Sequence, residues 1–179
     1  MRTFEPLYWT LVSRLITTKY DAFIERSLAL AGKDIARIVD VKDMPGLRQE
    51  QVQVVKLHGD LESDDTIVLT ETDYFKRLSF EAPLDIKLRA DTLGRAVLFI
   101  GYSLSDINIR LLLFKLAQVW NASGHSHKRP ASYLFLARPD PIQEAVLGEW
   151  GVKVITEDAD NPGDALRLFL KRLVAEATG

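Results

Sequence analysis

Short apolar runs alternate along the chain with longer stretches whose apolar residues recur at helical spacing. That alternation predicts an α/β fold with a mostly parallel sheet and helices on both faces. Leu15-Ile16-Thr17 opens the pattern as a short strand. Asp21 is placed to cap a helix reaching Ala31, with Phe23, Ile24, Leu28 and Ala31 on one face and Gly32 as its stop. Ile35 to Val41 reads as a second strand, Pro45-Gly46 as a turn, and Val52 to Leu57 as a third strand. Thr66 to Leu69 is a further apolar stretch. Thr70 and Asp73 have capping-box spacing ahead of Tyr74, Phe75 and Leu78. Leu84 to Leu93 reads as a helix closed by Gly94, and Ala96 to Ile100 is the clearest buried strand. Gly101 to Asp106 then leads into a helix reaching about Trp120, with Ser103 and Asp106 again at capping-box spacing. Ser132 to Ala137 reads as a strand, Pro141 to Leu147 as a short helix and Val152 to Thr156 as the last strand. A final helix starts at Asn161-Pro162 and turns Leu166, Phe169, Leu170, Leu173 and Val174 to the core.

Composition narrows the class. A chain of 179 residues, 47% of them hydrophobic, suits one ordered domain over 1–179, with 1–14 as an atypical N-terminal segment. No apolar run approaches the ~18 residues of a membrane span, so no membrane partner is expected. The formal net charge of −2 offers no electrostatic case for nucleic acid as a direct ligand. The chain has no cysteine, which excludes disulfides, thiolate metal sites and cysteine nucleophiles and suits a cytoplasmic protein. His125 and His127 would bind a metal only with further ligands, and none is evident nearby. Asp64-Asp65 and Asp158 with Asp160 read as solvated turns. Leu111 to Phe114 is apolar around much of its helix, and Leu7, Tyr8 and Trp9 are apolar at the N-terminus. Each has core packing as the plainer reading and a subunit contact as the other.

Candidate chemistry sits at three strand ends, where a parallel sheet places its ligand crevice. They are Thr17-Thr18-Lys19-Tyr20-Asp21, His58-Gly59-Asp60 and Gly101-Tyr102-Ser103. His58 stands out, because imidazole holds or moves a proton near neutral pH and Gly59 lets backbone or ligand come close. Each segment has a plain structural reading as well: hydroxyls closing a turn, a satisfied histidine, a serine capping a helix. Their recurrence after three strands is what gives them weight.

Together these blocks resemble the bacterial branch of the sirtuin-like NAD-binding family. The likeness rests on Ile16 to Asp21, Val55 to Asp60, Thr66 to Tyr74, Val97 to Asp106 with Arg110, and Trp150 to Thr156, and it spans roughly 15–175. It implies a Rossmann-like sheet and an NAD-hydrolysing activity, forming nicotinamide and ADP-ribose, of the kind used in antiphage defence. It also implies that His58 lies beside the nicotinamide ribose as acid–base or orienting group. Thr17, Thr18, Tyr20 and Asp21, with Gly59, would shape that side, while Gly101, Tyr102, Ser103 and Asp106 would border the adenosine side. Without cysteines, the zinc module of the protein deacylases is not expected.

Two departures from the family pattern temper this. Lys19 occupies the position of the family's asparagine. An ammonium about 4 Å from the developing ribose cation would cost about 4 kcal/mol at an effective dielectric of ~20. Pointing away, pairing with Asp21 or Asp60, or contacting phosphate would relieve it. The family's Gly-rich phosphate-cradling turn is also missing: no G-x-G occurs, and the fourteen residues before Leu15 hold no glycine. Either the fold closes the gap, or, as is expected here, the first strand comes from a longer chain or from a partner chain or second copy in a homo-oligomer. The competing function is a catalytically degenerate nucleotide-binding or assembly module.

Overall fold

The computed structural model of the chain describes residues 12–77, 81–101, 107–138 and 140–178. Two compact units lie within Met1–Ile86 with Leu173–Gly179, and within Lys87–Arg172.

The first unit is built on a three-stranded parallel sheet in the order β1-β3-β2. Its strands are β1 (Arg14–Thr17), β2 (Ile35–Ile38) and β3 (Val52–Lys56). Helix α1 (Phe23–Leu30) carries the chain from β1 to β2. Leu28 of α1 is fully buried and packs with Val52 and Val54, and Leu15, Ile24, Ala31 and Ile35 close around them. These strand residues share one sheet face because side chains alternate with period two. Ile38 and Val55 alternate to the opposite face and are buried as well.

Several sequence expectations need correcting here. The second strand ends at Ile38 rather than Val41, because Asp40 and Asp43 form a reciprocal capping box around a single 3-10 turn. That box satisfies the amides of Val39, Asp40 and Val41 with carboxylates and leaves no ladder to continue. Phe23 is exposed, and Glu25 takes its expected place on the buried face, one turn before Leu28. The apolar stretch from Thr66 to Leu69 begins at the end of another 3-10 turn (Asp64–Thr66) and continues as loop. Thr70 and Asp73 do form a capping box, through Thr70 N–H to Asp73 (3.1 Å) and Asp73 N–H to Thr70 Oγ1 (3.2 Å), and it starts α2 (Glu71–Arg77). Helix α3 (Pro83–Leu93) follows.

The second unit is also a three-stranded parallel sheet, in sequential order β4-β5-β6. The strands are β4 (Val97–Ile100), β5 (Ser132–Leu136) and β6 (Val152–Thr156). The connections are α4 (Ile107–Ala122) and α5 (Pro141–Glu149), and α6 (Pro162–Thr178) closes the chain. On one face Phe99, Leu134 and Val152 meet Ile109 and Leu113 of α4 and Leu147 of α5. On the other face Leu98, Phe135 and Ile155 meet Ala165, Leu166, Phe169 and Leu170 of α6, and Phe135 stacks on Phe169 at 4.9 Å. This sheet therefore has helices on both faces, as the alternating pattern predicts for a doubly wound fold.

Strand β4 is less buried than its sequence implies: only Phe99 is buried, and Ile100 is exposed. Leu173 of α6 is likewise exposed, whereas Val174 is buried. In α4, Leu112 and Leu113 are buried and Phe114 is exposed, so an apolar run does not here mean burial on every side. Leu7, Tyr8 and Trp9 lie outside the described residues. No described helix is long and apolar enough to cross a membrane.

Candidate functional site

Parallel register decides which sequence blocks meet. Thr17, the last residue of β1, lies directly beside Lys56, the last residue of β3. The loops that follow both strands therefore leave the same edge of the sheet, the edge where open parallel sheets bind ligands. The 17–21 and 57–60 blocks are tied together there. Leu57 N–H donates to the Thr17 carbonyl at 2.9 Å, and Leu61 N–H donates to the Tyr20 carbonyl at 3.3 Å. Tyr20 Oη donates to the Val68 carbonyl at 2.7 Å, while Val68 N–H returns to the His58 carbonyl at 2.9 Å.

His58 is buried in the turn immediately after β3. Gly59 follows with φ of +93°, and its α-carbon faces the 66–67 backbone. A β-carbon at this position would lie 2.8 Å from Ile67 Cα and closer still to the Thr66 carbonyl. The glycine thus serves a close approach of backbone to backbone, which is one of the two uses its place in the sequence allows. Thr66 Oγ1 accepts from Asp60 N–H and donates to the Ser63 carbonyl, so the 58–68 loop folds on itself.

The other residues of the 17–21 block take local roles. Thr17 is buried, and its hydroxyl accepts from Lys19 N–H at 3.0 Å. Asp21 accepts from Phe23 N–H at 3.1 Å, one residue ahead of the helix N-cap at Ala22. Thr18 is half-buried. The Lys19 side chain is exposed, and no carboxylate among the described residues lies within 4.0 Å of its ammonium. Pairing with Asp21 or Asp60 is thus not the way Lys19 is accommodated; its side chain is open to solvent.

Asp60 is engaged elsewhere, in a cluster that sequence reasoning missed. Lys56 is fully buried, and its Nζ lies 2.8 Å from Asp60 Oδ2 and 3.3 Å from Glu25 Oε1. It also donates to the carbonyls of Tyr20 (3.0 Å) and Asp21 (2.7 Å). Arg37 Nη1 reaches Asp60 (3.1 Å) and Glu62 (2.6 Å) from the outer side. Burial pushes the Asp60 carboxyl up. The hydrogen bonds from Lys56 and the Glu62 amide and the charges of Lys56 and Arg37 outweigh it, and hold the group below the ordinary carboxylate range. For Arg37 the hydrogen bond to Glu62 is the main influence, and it strengthens the guanidinium's hold on its proton. Neither Glu25 oxygen accepts a hydrogen bond from the described residues, so Lys56 is its charge partner. Removing one member of such a buried pair strands a charge and costs about 3–5 kcal/mol. One signal was legible: Val52, Val54 and Lys56 alternate onto the face that α1 covers, so a buried lysine facing Glu25 follows from period two and one helical turn.

Gly101 ends β4 in the second unit, with φ of +71°. It lines an open groove with Phe135, Leu136, Ala137, Asp140, Ile142 and Gln143, at the carboxyl ends of β4 and β5 and the start of α5. Asp140 caps α5 by accepting from the Ile142 and Gln143 amides. Tyr102, Ser103 and Asp106 lie outside the described residues. His125 and His127 are exposed on a 3-10 turn, with ring centroids 6.1 Å apart.

The profile of the SIR2-like domain family matches residues 13–155. The chain belongs to the SIR2-like domain family. That match runs through both parallel sheets and includes His58 and Gly101, and the α/β, Rossmann-like class agrees with it. Among curated relatives, the NAD(+) hydrolase ThsA of Cytobacillus dafuensis is 30% identical over 67% of this SIR2-like chain and 23% of that protein. The NAD(+) hydrolase ThsA of Bacillus cereus (strain MSX-D12) is 29% identical over 83% of this chain and 32% of its own length. Defense-associated sirtuin 2 of Bacillus subtilis is 25% identical over 75% of this chain and 13% of its length. The SIR2-like chain thus spans about a third or less of the relatives it matches.

Proposed function

We propose that this SIR2-like domain cleaves NAD to nicotinamide and ADP-ribose as part of a bacterial antiphage defence system. The observation that carries the reading is the meeting of the 17–21 loop with the turn that carries His58, at the carboxyl edge of the first sheet. The relatives support it, since they include NAD(+) hydrolases and a defence-associated sirtuin.

In this reading the bond from the ribose C1′ to the nicotinamide nitrogen breaks, and its electrons leave with neutral nicotinamide. Water adds to C1′ and releases one proton, which His58 accepts or passes on. Thr17, Thr18, Tyr20, Asp21 and Gly59 shape the nicotinamide-ribose side; Gly101, Tyr102, Ser103 and Asp106 border the adenosine side. The reading takes both units as parts of one domain, which the run of the family match through both supports. A second copy of the chain, or a partner chain, completes the sheet; if it is a second copy, co-expressed tagged and untagged chains co-purify.

Nicotinamide release from NAD tests the reading. Wild type is expected to release it, and His58→Ala to be slower by about a hundredfold or more, the usual worth of a positioned acid–base group. Lys19→Asn is the informative companion. With the lysine exposed, its repulsion at about 4 Å falls toward the ~1 kcal/mol of bulk water, so this change should alter the rate by less than about tenfold. Silence in wild type and recovery in Lys19→Asn would favour the second reading, a degenerate nucleotide-binding or assembly module. The family's asparagine replaced by Lys19 and the absence of any G-x-G are the observations on that side.

A further inference from the structure

We infer that Lys56 is a positioning residue: its buried ammonium locks the 17–21 loop to the 56–60 turn and so sets where His58 stands against that loop. The inference rests on the hydrolase reading for what the positioning serves, and on geometry alone for the lock.

Four oxygens surround Lys56 Nζ, and they come from three separate pieces of chain. The carbonyls of Tyr20 (3.0 Å) and Asp21 (2.7 Å) belong to the loop after β1. Asp60 Oδ2 (2.8 Å) belongs to the turn after β3, two residues beyond His58. Glu25 Oε1 (3.3 Å) belongs to the first turn of α1. Every one of these groups is an acceptor. An ammonium, with three donors and no acceptor, bonds the two carbonyls and Asp60 and sets its charge against Glu25, where a methionine of similar length would leave all four unmet. Burying a lysine is costly, and apolar residues of like volume usually stabilise a core as well or better. The lysine's place therefore answers to the carbonyls and carboxylates it holds rather than to packing. Arg37 braces the same Asp60 from outside, which keeps that carboxylate turned to Nζ.

Native-state amide exchange on the full chain tests the lock. The variant combines Lys56→Met with Glu25→Gln and Asp60→Asn, so that no carboxylate is left stranded. Exchange at Leu57 and Leu61, whose amides donate to the Thr17 and Tyr20 carbonyls, is expected to quicken about tenfold or more, while amides inside β3 stay within about twofold. Nicotinamide release should fall in kcat by about tenfold or more, with KM within about threefold, as expected for misplaced rather than unbound substrate. Unchanged exchange at Leu57 and Leu61 would overturn the inference, and so would a uniform rise through β3, which marks general loosening. A second measurement needs no folded variant. In wild type, the Lys56 ammonium should give its own slowly exchanging 1H–15N resonance, assigned by through-bond correlation to the Lys56 side-chain carbons; its absence would overturn the lock. A wild type silent toward NAD would defeat the hydrolase reading alone, because exchange and the ammonium resonance read the lock without turnover.

Discussion

Gly59→Ala should cost far more than an ordinary glycine substitution, and the neighbouring backbone says how much. At φ of +93° an L-residue pays roughly 1–2 kcal/mol for the left-handed conformation. The new methyl would also sit 2.8 Å from Ile67 Cα and nearer to the Thr66 carbonyl, so the 66–67 backbone must retreat. That retreat puts at risk the Val68-to-His58 backbone bond and the Asp60 N–H bond to Thr66 Oγ1, each worth about 1 kcal/mol net. Stiffening of the unfolded chain returns roughly 0.4–1 kcal/mol. The balance is a loss of about 2–3.5 kcal/mol. Gly46→Ala is the control: Gly46 has φ of +83°, but nothing lies within 4 Å of its β-carbon position. It should lose about 1 kcal/mol or less. Urea denaturation followed by circular dichroism gives both values as midpoint shifts at constant slope. If Gly59→Ala proves no worse than Gly46→Ala, the close approach of the 58–59 turn to the 66–67 backbone is not a constraint on the fold.

Three further outcomes follow from named contacts. Asp60, held below the ordinary carboxylate value of 3.8, contributes stability that is present above that value and lost as pH falls through its folded pKa. The difference in urea midpoint between about pH 6 and about pH 3 should therefore shrink in Asp60→Asn; an unchanged acid limb would contradict the assignment. Tyr20→Phe removes the hydroxyl that bonds the Val68 carbonyl and should cost about 1 kcal/mol in the same denaturation assay. Leu134→Ala, at a fully buried position in the second sheet, should cost about 2–5 kcal/mol, and a loss under 1 kcal/mol would mean that the site collapses around the missing atoms.

The strands were legible because each is a short apolar run bounded by turn residues, and Val152–Thr156 matches its reading at both ends. The helices were legible from spacing and caps: Thr70 with Asp73 works as its sequence implies. Errors fell where a polar side chain competes with the ladder. Asp40 and Asp43 end β2 three residues early, and apolar composition alone does not reveal that their carboxylates take the next amides. Burial was the other weak point, since Phe23 and Ile100 are apolar yet exposed.

The sequence by itself determined the α/β class, the three strand ends that carry candidate chemistry and the choice of His58, because hydrophobic period and turn chemistry are local properties. Tertiary structure alone decided what those ends do to one another. Parallel register sets Thr17 beside Lys56, and from that single pairing the two loops meet. The same pairing reassigns the cations. Lys19, conspicuous at a family position, is in solvent, whereas Lys56, inconspicuous inside an apolar strand, is buried among four oxygens. Period two marks Lys56 for the covered face of the sheet, but no local pattern shows what either lysine meets. What separates them is which carbonyls and carboxylates, far apart in the chain, converge on each ammonium, and a buried charge persists only where such acceptors converge.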